Sequence, residues 1–337
     1  MGSRGQTRML DDIGANRHER PEGGTRGLEC SQMDEHPSVV LRDICSRPRP
    51  SGHVITFANE KGGVGKSTLA FHTLVALASE GASVLAIDLD RRQQTLHRTL
   101  EAREATARAL RAKLVCPIHF VLERQSAAQL SQEILRVGAD FDFVVIDAAG
   151  HDSPIARRAI AMADTLVTPV NSSHADLDPL GRFSPVTMKL QRTGPFAAMV
   201  NALQEEREKR EMDRIDWIVV RNRLRHSESR QSSHIDRTLK ALSHKAGFRL
   251  GQGLTERVAY RELLPFGLTH LDLRNIRGLA RLRARTGEEL GRMVRDFGLP
   301  EVVQAKAAAP GPQRARMGER SAQNYRNRLE HHLGVVG

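Results

Sequence analysis

Cysteine is scarce in this chain: Cys30, Cys45 and Cys116 are the whole set in 337 residues, widely spaced and with no C-x-x-C pair. An odd, scattered trio excludes a disulfide framework and a zinc module, and fits a reducing compartment. Aromatics are only 4%, so a core has to be built from Leu, Val, Ile and Ala. Nowhere do about 18 apolar residues run consecutively, so no transmembrane segment is expected. The first residues lack an apolar run of signal-peptide length. Asp11, Asp12, Glu19 and Glu22 also argue against an acid-poor transit peptide. A cytoplasmic protein is expected.

What is present suffices for one large α/β domain with tails, or for two modest domains. Apolar residues make up 39% and the formal charge is +11. The first 52 residues hold eight basic and eight acidic side chains, and residues 299–337 hold six and three, so the middle carries the remaining +8. A basic folded region points to a polyanion such as DNA or an anionic membrane surface; a well-solvated arginine-rich surface is the equally weighted alternative.

Residues 1–52, rich in Gly, Arg, Pro and acids and without periodicity, read as a disordered leader, in which Met33 offers a second possible start. Regular structure is expected from His53. Val54 to Ala58, Val84 to Asp88, Phe141 to Asp147, Thr165 to Val170 and Trp217 to Val220 are short, nearly continuous apolar runs, hence buried strands. A helix should run from Ser67 to Gly81, a natural C-cap. Arg91 to Arg136 reads as mostly helical with a strand near Val115 to Val121, residues 201–216 as an exposed helix or loop, and Ile276 to Phe297 as the last helix. No internal repeat is visible. Strands alternating with helices predict a mostly parallel sheet covered on both faces, spanning 53–298, with a flexible basic tail over 299–337.

The stretch Asn59-Glu60-Lys61-Gly62-Gly63-Val64-Gly65-Lys66-Ser67-Thr68 follows a strand and opens a helix. Gly62, Gly63 and Gly65 let backbone N–H groups converge on an anion, at a helix end that is itself partly positive. Lys66 would reach the β- and γ-phosphates of ATP, and the Ser67 hydroxyl would ligate Mg²⁺. The usual phosphate-loop pattern would put glycine at position 60, where this chain has Glu60, followed by an extra lysine, Lys61.

K-G-G-x-G-K-[ST] resembles the deviant Walker A motif of the ParA/MinD family of P-loop ATPases. The resemblance implies that Lys61 reaches the ATP of a second subunit in a nucleotide-sandwich dimer; the plain alternative is a surface lysine. Ile87-Asp88-Leu89-Asp90 is similar to the family's first switch, implying that Asp88 holds Mg²⁺ through water and Asp90 orients the attacking water. Phe143 to Asp147 resembles Walker B, which makes Asp147 metal-associated. The family then continues D-T-P-G or D-x-x-G. Here Asp147-Ala148-Ala149-Gly150 keeps the switch glycine, Gly150, but lacks Thr and Pro, a departure bearing on hydrolysis rate and switch geometry.

The second half resembles the MipZ family, ATPases that position the bacterial division plane. The match is carried by His151 to Arg157, Val167 to Ser173, Asp216 to Leu224, Gly247 to Gly251 and, most densely, Val258 to Thr269 running on to Leu271-Asp272-Leu273. It departs at Ser172 and His174. The resemblance implies an ATP-dependent homodimer, nucleoid association through non-specific DNA binding, recruitment by a ParB-type protein and inhibition of FtsZ assembly. A ParA-type segregation ATPase and a MinD-type membrane regulator are the alternatives. For the latter, Ala322, Tyr325, Leu329 and Leu333 form only a thin apolar stripe. Asn222 resembles the family's adenine-contacting residue, or else caps the following turn. Arg207, Arg210, Arg214, Arg225, Arg230, Arg237 and Lys240 are the DNA-contact candidates; Arg214 to Lys245 holds eight basic and three acidic residues.

Overall fold

The structure is a computed structural model. It describes residues 35–137, 141–171, 173–183, 190–222, 229–254, 262–276, 286–301 and isolated positions between 323 and 331. The chain divides into Met1–Asp34, which lies outside the described residues, and Glu35–Gly337.

In chain order the second unit contains α1 (Pro37–Cys45), β1 (His53–Phe57), α2 (Lys66–Ser79), β2 (Val84–Asp88), α3 (Thr95–Leu110), β3 (Ile118–Val121), α4 (Ala127–Val137), β4 (Phe143–Asp147) and α5 (Pro154–Met162). There follow β5 (Thr165–Val170), the single turn α6 (His174–Leu177), β6 (Gly181–Phe183), β7 (Leu190–Thr193), α7 (Pro195–Glu208), β8 (Asp216–Arg221), α8 (Ser229–Ala246), β9 (Arg249–Gly251) and α9 (Thr286–Asp296). A seven-stranded sheet runs in the order β3-β2-β4-β1-β5-β8-β9, and every neighbouring pair in it is parallel. The predicted strands are all present. The pairing of β6 with β7 in a separate antiparallel ribbon was not foreseen.

Strand side chains alternate between the two faces of the sheet. Ile55, Phe57, Val145, Val167, Ile218 and Val220 face α2 and α9, meeting Leu69, Phe71, Leu74, Met293 and Phe297. Leu166, Val170, Trp217 and Val219 face the other way, toward Ile160, Phe196, Val200 and Leu239 of α5, α7 and α8. Burial on both faces is why these strands read as unbroken apolar runs. Trp217 buries its indole and donates Nε1–H to Thr168 Oγ1 at 3.0 Å, so the one large polar ring of the core is satisfied.

Two expectations need correction. The leader is not uniform: within it, Pro37–Cys45 is a helix. Pro37 takes the first helical position, where its missing N–H costs nothing, and the His36 ring accepts from Ser38 N at 3.2 Å. Val40, Leu41 and Ile44 fall on one face and join the α5/α7 core. Arg158 of α5 fastens the helix, donating to Asp43 at 2.5 Å and to Glu35 at 2.7 and 2.8 Å. Burying three aliphatic side chains contributes roughly 1.5–3 kcal/mol each, more than these partly exposed ion pairs. Secondly, residues 201–216 are not simply exposed, since Leu203, Gln204, Glu206 and Arg207 are buried. In the last predicted helix, 286–296 is helical, 276 is extended, and 277–285 lies outside the described residues. So does the apolar stripe of Ala322, Tyr325, Leu329 and Leu333. Among the described residues, no helix is long and apolar enough to cross a membrane.

Candidate nucleotide site

The loop between β1 and α2 leaves the sheet where strand order reverses, with β4 on one side of β1 and β5 on the other. Parallel sheets take ligands at such a point, beyond the carboxyl ends of their strands. Gly63 and Gly65 have φ of 75° and 96°, left-handed values that suit glycine. Gly65 is held by space as well, because a Cβ there would lie 2.1 Å from Asn222 Nδ2. Asn222, just past β8, donates that amide to Val64 O at 2.9 Å. Expected as an adenine contact or a turn cap, Asn222 uses its side-chain nitrogen here to brace the glycine loop. Val64 is fully buried and Glu60 half-buried. Thr68 O accepts from the His72 ring at 2.8 Å, within α2.

The two lysines of the loop take different routes. Lys66 is buried and turns inward, donating Nζ–H to Lys61 O at 3.0 Å. Burial lowers its pKa, with Asp147 and Asp90 opposing. Lys61 turns its ammonium away from the loop to an ion pair with the buried Asp176 of α6, whose other oxygen accepts from Ser173 Oγ at 2.8 Å. Its backbone N–H is fixed by Asn59 Oδ1 at 3.0 Å, and Asn59 is anchored to Pro169 O at 2.8 Å. Sequence reasoning missed Asn59 and Asp176. A polar side chain ending an apolar strand was the available signal for the first; nothing local marked the second.

Registry places the acids. Asp88 at the end of β2 and Phe57 at the end of β1 both pair with Asp147 of β4. Asp147 is buried and hydrogen-bonded by Ser67, and burial pushes its pKa up to about 8, with Asp88 adding to the rise. Among the described residues its Oδ1 has no hydrogen-bond partner. Asp88 accepts from Asp90 N at 2.8 Å and His97 N at 3.1 Å, and burial raises its pKa too. An orphaned carboxylate oxygen, a second carboxylate beside it and the Ser67 hydroxyl fit a hard divalent cation that completes its shell with water and phosphate oxygens. Asp90 sits outside the barrier of burial that surrounds the other two. Its Oδ1 caps the turn after β2 by accepting from Arg92 N at 3.1 Å and Gln93 N at 3.0 Å.

Gly150 presses on the phosphate loop: a Cβ there would lie 3.1 Å from Gly62 Cα and 3.3 Å from Lys66 Nζ. Between the segments that follow β2 and β4, a cavity of about 490 Å³ is lined by Asp90, Arg91, Ala149, His151 and Ile155 among others.

The family model for the ATPase MipZ matches residues 53–301. The chain belongs to the MipZ family. Among individual relatives, an uncharacterized ATP-binding protein of Methanocaldococcus jannaschii is 34% identical over 135 residues, covering 34% of this chain and 51% of that protein. The chromosome-partitioning ATPase Soj of Thermus thermophilus is 31% identical over 142 residues, covering 37% and 57%. The chain thus spans about half the length of the curated relatives it matches. Among solved structures, the ATP complex of a Cyanothece McdA shares 19% identity at TM-score 0.49, covering 76% of this chain and 100% of that one. MinD of Aquifex aeolicus shares 16% at 0.45, covering 75% and 100%.

The MipZ-family resemblance drew attention to a set of basic residues, and the structure separates them. Arg207 is not a surface contact. It is fully buried, and its guanidinium donates to Asp213 O at 2.8 Å, Ala161 O at 2.7 Å and Ala163 O at 3.1 Å. Arg210 is ion-paired with Glu206 and donates to Ser38 O of α1 at 3.3 Å. Arg214 is exposed, 3.8 Å from Glu208. Arg237 and Lys240 are exposed on α8. Arg225 and the side chain of Arg230 lie outside the described residues.

Proposed function

We propose that this MipZ-family chain is an ATPase working as a dimerisation switch. It binds ATP in the β1–α2 loop, pairs with a second copy through Lys61 and, as a dimer, binds DNA non-specifically. Hydrolysis, with Asp90 orienting the attacking water, returns monomers. The output is a gradient that positions the division plane by inhibiting FtsZ assembly, with a ParB-type protein recruiting the monomer at the chromosome origin.

The observation that carries this reading is the divergence of the two loop lysines. Lys66 serves its own loop. Lys61 leaves it, with a side chain 36% exposed, which supports a role in which, its pair with Asp176 opened, it neutralises phosphate charge in another subunit as an arginine finger does in trans. Ser67, Asp88 and Asp147 would hold the magnesium ion, which supplies neutralising charge to the β- and γ-phosphates. Lys66 and the loop amides then fix the triphosphate in a site that Gly150 closes, and Asp90, less buried than the other acids, meets the water.

Size-exclusion and DNA-retention measurements with ADP, ATP and a slowly hydrolysed analogue test the cycle. The analogue should give a DNA-bound dimer and ADP a free monomer. Lys66→Ala should abolish ATP binding, Lys61→Ala should bind ATP but stay monomeric, and Asp90→Ala should dimerise but stall turnover. A Lys61→Ala protein that dimerises normally would end the trans-lysine reading.

A further inference from the structure

The β6–β7 ribbon carries an arrangement that the nucleotide site does not use. Arg182 and Arg192 are directly opposite each other in the antiparallel pairing. Residues so paired share one face with their Cβ atoms about 5 Å apart, and like charges there are destabilising. Phe183 and Leu190 pack inward against Ile235, Leu239 and Leu242 of α8. Arg182 alternates with Phe183, and the register shift that leaves Gln191 as an extra residue brings Arg192, rather than its neighbour, opposite Arg182 on the other face; both arginines are exposed. Among the described residues neither has an ion-pair or hydrogen-bond partner. Two arginines opposite each other, with no counter-charge on them among the described residues, form a site that an anion would relieve.

We propose that this ribbon is a phosphate-backbone contact for DNA, with Arg182 and Arg192 acting as a pair. The proposal rests on the DNA binding put forward above and adds a contact to it. Its surroundings match a polyanion: α8, on which the ribbon packs, exposes Lys240, His244 and Lys245, while its Asp236 is taken up by Arg221. A lipid surface fits less well, because the exposed large apolar residues among those described are Val115 and Leu135, neither of them on the ribbon. Phosphate contacts of this kind add affinity and salt dependence without reading bases.

The test is binding of the full chain to a short random-sequence duplex, with Mg²⁺ and a slowly hydrolysed ATP analogue, across a salt series. Arg182→Ala with Arg192→Ala should reduce the slope of log affinity against log salt by about 2, one unit per lost phosphate contact. At about 0.15 M salt the same relation makes the loss roughly fivefold per arginine and roughly thirtyfold together. The double lysine variant should recover the slope. The alanine pair should melt no lower than the parent, since only a repulsion is removed; a structural role would lower the melting temperature. Parent binding with an unchanged slope in the double variant overturns the ribbon proposal alone. A parent that binds no DNA overturns it together with the DNA reading above. Arginine-dependent binding to anionic vesicles, with DNA binding unaffected, overturns it in favour of a membrane.

Discussion

Replacing Arg207 with alanine separates the surface role suggested by its sequence from the buried role it has in the fold. Its guanidinium satisfies three carbonyls, those of Ala161, Ala163 and Asp213, at 2.7–3.1 Å. Alanine would strand the buried carbonyls of Ala161 and Ala163, whereas Asp213 is exposed and its carbonyl can turn to water. An unsatisfied buried polar group costs about 1–3 kcal/mol, so the two together cost about 4 kcal/mol at mid-range. Total stabilities are only about 5–15 kcal/mol. For a domain of this size each kcal/mol moves the melting temperature by about 2–4 °C, giving a drop of roughly 8–16 °C. Urea and thermal melts measure it. Arg207→Lys should fall between, because one ammonium cannot reproduce the planar fork. Below the melt, Arg207→Ala should bind DNA with an unchanged salt slope. A protein that melts like the parent while its slope falls by about one would refute the burial argument and restore Arg207 to the DNA surface.

Three further outcomes follow from the geometry. Gly65→Ala should abolish nucleotide binding, because φ of 96° and a contact 2.1 Å from Asn222 both exclude a side chain; equilibrium dialysis with ATP reads this. Burial lowers the His72 pKa to about 4, so the unfolded chain holds the extra proton between about 4 and 6.5 and native stability contributed by neutral His72 is lost as pH falls through that window. Asp147, raised to about 8, acts with the opposite sign, so the clean readout is the stability gap between parent and His72→Gln. It should narrow by about 1.4 kcal/mol per pH unit below 6.5, and a constant gap would contradict the burial of His72. Leu41→Ala should cost about 2–5 kcal/mol in urea titration, which an unpacked leader would not show.

The buried strands and the phosphate loop were legible because their constraints are local. Four apolar residues ending in aspartate, or glycines spaced before Lys66, leave few other structures. What was missed depends on distant partners. α1 is nine residues inside a Gly-, Arg- and acid-rich stretch, and its short Val40-Leu41-Ile44 face has meaning only once α5 and α7 exist. Arg207 looks like any surface arginine until the ends of α5 and the segment before β8 bring three carbonyls around it. The same holds for Asp176, whose role depends on where Lys61 points. The β6–β7 ribbon is short and irregular in register, so it offers no period-two pattern to read.

Asn222 joins two parts of the molecule with very little material between them. Its amide carries the weight of Val64, and its own backbone is where the chain departs for α8 and the basic face beyond. In the cycle proposed above, a glycine loop that released Val64 O would also free the Asn222 side chain at the carboxyl end of β8, so one amide–carbonyl bond is where the loop and that strand meet.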